Sequence, residues 1–189
     1  MTKKQRNLWL AVAGVALIQA AVLGWMIYDR ARLLADGREI VLEVVPVDPR
    51  DLFRGDYVTL NYDISRVPAP TDGKPMRGED IYITLQKNPE GRWTAVHADT
   101  TPPAATGPEQ VVLKGKARFS YAATEQRPAE VGVLYGIERF FVSEGKGHEI
   151  EQLVGDRKLF ALIAVDEDGN AGIKGLIVDG KRVYEEPLI

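Results

Sequence analysis

From Leu8 to Tyr28 the chain runs 21 residues with Gln19 as the only strongly polar side chain. No other feature limits the fold as much. At about 1.5 Å per residue a helix of this length spans roughly 30 Å, the thickness of a bilayer's hydrocarbon core. Trp9 stands at one end and Trp25 and Tyr28 at the other, where amphipathic rings favour the headgroup layer. Gln19 is tolerated in a single span and can also hydrogen-bond to a neighbouring helix. A cleaved signal peptide fits poorly, because such apolar cores run only about 7–15 residues and end at a small-residue cleavage site. Here the run leaves through Gly24-Trp25-Met26-Ile27-Tyr28-Asp29-Arg30, which is bulky and charged. The segment reads as a retained anchor that inserts in the lipid bilayer.

The expected organisation is a short basic tail over residues 1–7, the anchor over 8–28, a juxtamembrane linker over 29–38 and a folded domain over 39–189. Lys3, Lys4 and Arg6 precede the span and Arg30, Arg32 and Arg38 follow it, a tie. The free amine and the closer spacing of the first group favour an N-terminus inside, with the domain outside the cytoplasm. No cysteine is present, so no disulfide braces the domain, and the compartment is not fixed by that fact. With the three N-terminal cations set aside, 21 Lys and Arg face 27 Asp and Glu, about −6. That sign lacks the basic footprint of a nucleic-acid binder and does not suit an anionic lipid surface.

Beyond the anchor the apolar pattern has period two. Strands are expected over residues 39–45, 56–64, 80–86, 92–97, 110–119, 132–142, 158–165, 172–178 and 181–184. In the second of these, Val58, Leu60, Tyr62 and Ile64 fall on one face. Lys87-Asn88-Pro89-Glu90-Gly91 and Asp179-Gly180 are hairpin loops. One short helix is expected over 148–154, closed by Gly155. The fold class is therefore mainly β: a transmembrane helix followed by an antiparallel β sandwich or partly closed β barrel.

The densest string is Gly55-Asp56-Tyr57-Val58-Thr59-Leu60-Asn61-Tyr62, preceded by Asp48-Pro49-Arg50-Asp51-Leu52-Phe53-Arg54. Locally it has a structural logic. Asp48 is a good N-cap, Pro49 suits the first helical position, and Asp51 can bond back to the Asp48 amide. Gly55 can end the turn in the left-handed conformation, and Asp56 starts a strand. The string resembles the signature of the GDYXXLXY family of membrane-anchored bacterial proteins. A second block, from Tyr135-Gly136-Ile137-Glu138-Arg139-Phe140-Phe141 to Glu144-Gly145-Lys146-Gly147-His148, resembles that family's other recurrent stretch. The family carries no assigned biochemical activity, so the resemblance implies a place and an architecture: a single-pass protein of the bacterial inner membrane. It also implies a setting beside multi-span membrane proteins.

The candidate binding cluster is Asp48, Arg50, Asp51, Arg54, Asp56, Tyr57, Tyr62, Glu138, Arg139, Glu144 and His148. If residues 132–142 form one strand, Glu138 or Arg139 presses against apolar surface, and a charge so placed requires a partner. Glu138 is expected to pair with Arg50 or Arg54. Tyr57, Tyr135 and Phe141 are candidate contacts for a partner as well as candidate core residues.

Other chemistries find less support. Arg54-Gly55-Asp56 is too short a match to an adhesion tripeptide to count, and Val47-Asp48-Pro49 lacks the serine that a signal-peptidase site requires. His148 and Glu151 would share a helix face, but with only two histidines in the chain acidic residues near a helix start explain the pattern without a metal. Ser65, Ser120 and Ser143 lie in no nucleophile elbow. No phosphate loop or dinucleotide fingerprint is present, and Asp166-Glu167-Asp168-Gly169-Asn170 reads as a hairpin turn rather than a calcium loop. No metal or cofactor is expected. The favoured function is an accessory module docking on an integral membrane partner. The alternatives are a hydrolase-like envelope enzyme or a small-ligand sensor using the region of Asp56, Glu138 and His148.

Overall fold

The computed structural model describes residues 2–45, 57–70, 73–103, 107, 109–124, 128–141 and 159–185. It opens with helix α1, Lys3–Asp36, whose N-terminus is closed by a Thr2–Gln5 capping box. The apolar side chains at Trp9, Leu17, Ile18, Leu23, Trp25 and Ile27 are all exposed. The helix is thus long and apolar enough to cross a membrane, with a surface suited to lipid. Residues 29–36, expected as a linker, continue the helix without a break. Asp29, Arg30 and Arg32 give that stretch the composition of a linker, yet all are adequate helix formers.

Its last turns do not stand free. Leu34 is 2% exposed. A Cβ placed on Gly172 would lie 2.6 Å from Nη1 of Arg30 and 3.1 Å from Cδ2 of Leu34. The helix end therefore rests on the face of a strand made bare by glycine.

Twelve strands are present among the described residues, and every pairing between them is antiparallel. They are β1 Arg38–Val45, β2 Tyr57–Thr59, β3 Asn61–Tyr62, β4 Arg66–Pro68, β5 Asp80–Lys87 and β6 Trp93–Asp99. There follow β7 Gln110–Tyr121, β8 Glu130–Leu134, β9 Arg139–Phe141, β10 Leu159–Val165, β11 Ala171–Val178 and β12 Lys181–Glu185. One sheet has the order β12-β11-β10-β1-β3 and a second the order β4-β8-β7-β5-β6. A separate two-stranded ribbon is formed by β2 and β9. The edges of the second sheet, β4 and β6, approach each other, so that it nearly closes into a barrel.

Both sheets contribute to a single core. Ile40, Leu42 and Val44 from β1 join Ile81, Ile83 and Leu85 from β5, and each is no more than 1% exposed. The alternation in β1, with Val41 and Glu43 half-buried between those positions, is what period two predicts for a strand covered on one face. The Asp179-Gly180 turn has φ of 48° and 77°, the left-handed pair of a type I′ hairpin. The Asp166–Asn170 segment is also a hairpin: Oδ1 of Asp166 accepts from the amides of Asp168 and Asn170 at 3.0 and 2.8 Å.

Two strands expected from the sequence are broken. The 56–64 stretch divides into β2, β3 and a 3-10 turn at Asp63–Ser65. The 132–142 stretch divides at Tyr135–Glu138, where Gly136 has φ of 81°. The alternating pattern survives each break, because Leu60, Tyr62 and Ile64 are all 1% exposed. What changes is the partner. Residues 57–68 pair in turn with β9, β1 and β8, and no continuous strand can serve three partners in different sheets. The helix expected over 148–154 lies outside the described residues.

The absence of cysteine permits a direct test of the helix–sheet contact. Spin labels at Arg32→Cys and Lys181→Cys should give one narrow distance distribution in nanodiscs. Adding Gly172→Leu, which fills the space occupied by Arg30 and Leu34, should broaden it severalfold while the β domain keeps its far-UV spectrum.

Candidate functional site

The described part of the signature string, residues 57–62, packs against the second block. The hydroxyl of Tyr62 donates to the carbonyl of Ile137 at 2.7 Å. The hydroxyl of Tyr135 donates to the carbonyl of Ile64, also at 2.7 Å. The amide of Leu60 donates to the carbonyl of Glu138 at 2.8 Å. Each tyrosine thus reaches across to the backbone of the other's segment, and a third bond runs beside them. Burial pushes both phenols well above their ordinary pKa, and the negative charge of Glu138 adds to the effect; Asp63 contributes further at Tyr135. Both therefore stay protonated and keep donating.

Glu138 is half-buried, but its carboxylate serves the loop. Oε1 accepts from the Tyr135 amide at 2.6 Å and Oε2 from the Gly136 amide at 3.0 Å. These bonds hold the turn at Gly136, where the positive φ requires glycine. The carboxylate thus accepts from backbone within three residues of itself, and the expected pairing with Arg50 or Arg54 involves residues outside those described. Asp48, Asp51, Asp56, Glu144 and His148 likewise lie outside the described residues. Tyr57 places its backbone in β2 opposite Phe141. Arg139 is exposed and its backbone faces Thr59. Of the expected cluster, the structure brings together Tyr62 and Glu138, and it does so through the backbone of the 135–138 turn. Among the described residues no group of three His, Asp or Glu is placed to hold a metal.

A second feature is a cleft of about 290 Å³ at the mouth of the β5–β6 hairpin. Its lining includes Glu43 from β1, Asp63 from the 3-10 turn, and Glu90, Arg92 and Trp93 from the hairpin. Phe160 and Ile177 from β10 and β11 complete an apolar wall. Arg92 is committed within the cleft: Nη1 lies 3.2 Å from Oε2 of Glu43, and Nε lies 3.7 Å from Oε2 of Glu90. Trp93 is 7% exposed, with the Arg38 guanidinium 5.2 Å from its ring centroid. Asp63 reaches the surface, but crowding at its carboxyl raises its pKa. The adjacent backbone amides oppose that shift, and among the charged neighbours Glu43 adds to it while Arg92 opposes it.

None of the cleft residues belonged to the expected cluster. Their positions run from residue 41 to residue 180, and nothing in the sequence links them. The one local signal was Glu43, an acid inside a β-branched strand, whose alternation assigns it to the outer face.

The family model described as GDYXXLXY protein matches residues 19–176, most of the chain. Neither the curated proteins nor the solved structures contain a match to it.

Replacing Tyr62 or Tyr135 by Phe should each cost about 1–3 kcal/mol, because a buried carbonyl loses its donor. The double variant should cost less than the sum, since both bonds join the same two segments. Urea unfolding of the full chain in detergent, followed by near-UV circular dichroism, measures all three. Strict additivity would show that the two bonds act independently.

Proposed function

The chain belongs to the GDYXXLXY family, and from that premise we propose that it is an accessory module of the bacterial cell envelope, docking on an integral membrane partner. In this reading the anchor lies in the inner membrane with its N-terminus inside and the β domain on the outer side. The observation that carries the proposal is the unbroken helix from the apolar span into the sheet. Binding a small soluble ligand does not by itself require a fixed pose. A domain that must present one face to a neighbour in the same bilayer does.

The eight helical residues from Asp29 to Asp36 span about 12 Å, roughly the depth of a headgroup layer. Tethering of this kind confines a domain near its neighbour and raises the effective concentration for docking. The paired Tyr62 and Tyr135 support the same reading, because the described part of the family's signature goes into holding the domain's shape.

Purification of the tagged full chain from its own host in mild detergent should recover a stoichiometric multi-span protein. The anchor-only segment should not recover it, and Gly172→Leu should lower the yield at least severalfold at equal expression. Equal recovery by the anchor alone would remove the β domain from the interaction. Undiminished recovery with Gly172→Leu would remove the fixed pose.

A further inference from the structure

We propose that the cleft beside the β5–β6 hairpin binds a small organic cation with an apolar body. Its ammonium would lie among Asp63, Glu43 and Glu90, and its hydrocarbon part against Trp93, Phe160 and Ile177. The cleft's volume of about 290 Å³ lies at the lower end for small-molecule sites, which run from about 300 Å³ upward. That is room for roughly ten waters, and so for an arylalkyl amine rather than a nucleotide or sugar chain.

The charge of the site selects the sign of the ligand. Three carboxylates, Glu43, Asp63 and Glu90, face one guanidinium, Arg92. Arg92 is already engaged by Glu43 and Glu90. Arg38 lies over Trp93 and also donates to the Gln110 carbonyl at 2.8 Å. An anion entering the cleft would meet the surplus of carboxylates, and a neutral ligand would leave Asp63 as crowded as before. A cation relieves both. The apolar wall then accounts for the rest of the ligand, because removing hydrocarbon from water against Trp93, Phe160 and Ile177 is favourable.

Asp63 adds a readout in stability that can be set beside binding. Its pKa is raised in the folded chain, first by desolvation and also by Glu43, against the backbone amides and Arg92. A raised carboxyl contributes stability that is present when the group is protonated and is lost as pH rises through the folded value. Asp63→Asn should therefore melt no lower than the parent near neutral pH, and any advantage should vanish in acid. A residue kept only for structure would not combine unchanged or higher stability with a loss of binding; a ligand-binding residue would.

The test uses the full chain in zwitterionic nanodiscs with Trp9→Phe and Trp25→Phe, which leaves Trp93 as the sole tryptophan. Titration with 2-phenylethylammonium should give a saturable change in its emission. The isosteric 2-phenylethanol and 3-phenylpropionate should respond far more weakly. Asp63→Asn and Glu90→Arg, the latter on an exposed hairpin, should each weaken binding by about tenfold or more, the scale of one lost charge contact in a partly screened site. If Asp63→Asn does not fold, Glu90→Arg decides. A response that fails to saturate overturns the proposal, as does equal binding of the alcohol, or unchanged affinity with every variant that folds. The outcome is independent of whether the domain docks on a membrane partner.

Discussion

Two tyrosine hydroxyls, each donating to a carbonyl in the other's segment, fasten the crossing where the chain passes between two sheets that share one core. Tyr62 and Tyr135 are almost wholly removed from solvent, so neither hydroxyl has water as an alternative partner and each bond must be kept or its loss paid in desolvation. The location gives them their weight. Residues 57–68 leave the ribbon with β9, cross to β1 and then cross again to β8. Every such crossing interrupts a hydrogen-bond ladder and leaves backbone groups without a strand partner. The Leu60 amide and the Ile64 and Ile137 carbonyls are groups of this kind, and the interlock satisfies each of them.

The signature Leu-x-Tyr then has a physical meaning. Leu60 fills the core at the crossing and Tyr62 ties it down, while the residue between them, Asn61, remains half-exposed. In the second block, Tyr135 returns the bond and Gly136 permits the turn. Glu138 holds that turn through two amides. The two most specific stretches of the chain are, in their described parts, two halves of one joint. The Glu138 carboxylate supplies the acceptors that those amides need.

Much of the fold was legible because period two and turn chemistry are local. Strands β1, β5, β7, β10, β11 and β12 lie within two residues of their expected bounds, and Asp179-Gly180 forms the turn that its residues require. The breaks at Leu60 and Gly136 were not legible, since alternation of buried and exposed residues continues across a change of partner. The continuation of α1 past Tyr28 was hidden for a different reason. Charged residues such as Asp29, Arg30 and Arg32 are compatible with both a helix and a linker, and only the bare face at Gly172 decides between them. The cleft could not be read at all, because five separated elements supply its walls and no spacing rule connects them.

The helix that runs from Lys3 to Asp36 without interruption also turns residue number into angle. In a flexible tether, adding or removing a residue changes reach by a trivial amount. With the apolar span in a bilayer, as proposed, one residue inserted between it and the clasp at Gly172 would rotate the domain about the helix axis by about 100° and lift it about 1.5 Å. Seven residues return it close to its starting azimuth, some 10 Å higher. In that arrangement the length of the helix between span and clasp would act as a compass setting, and relatives that differ there by one or two residues would face their neighbours with different sides of the same domain.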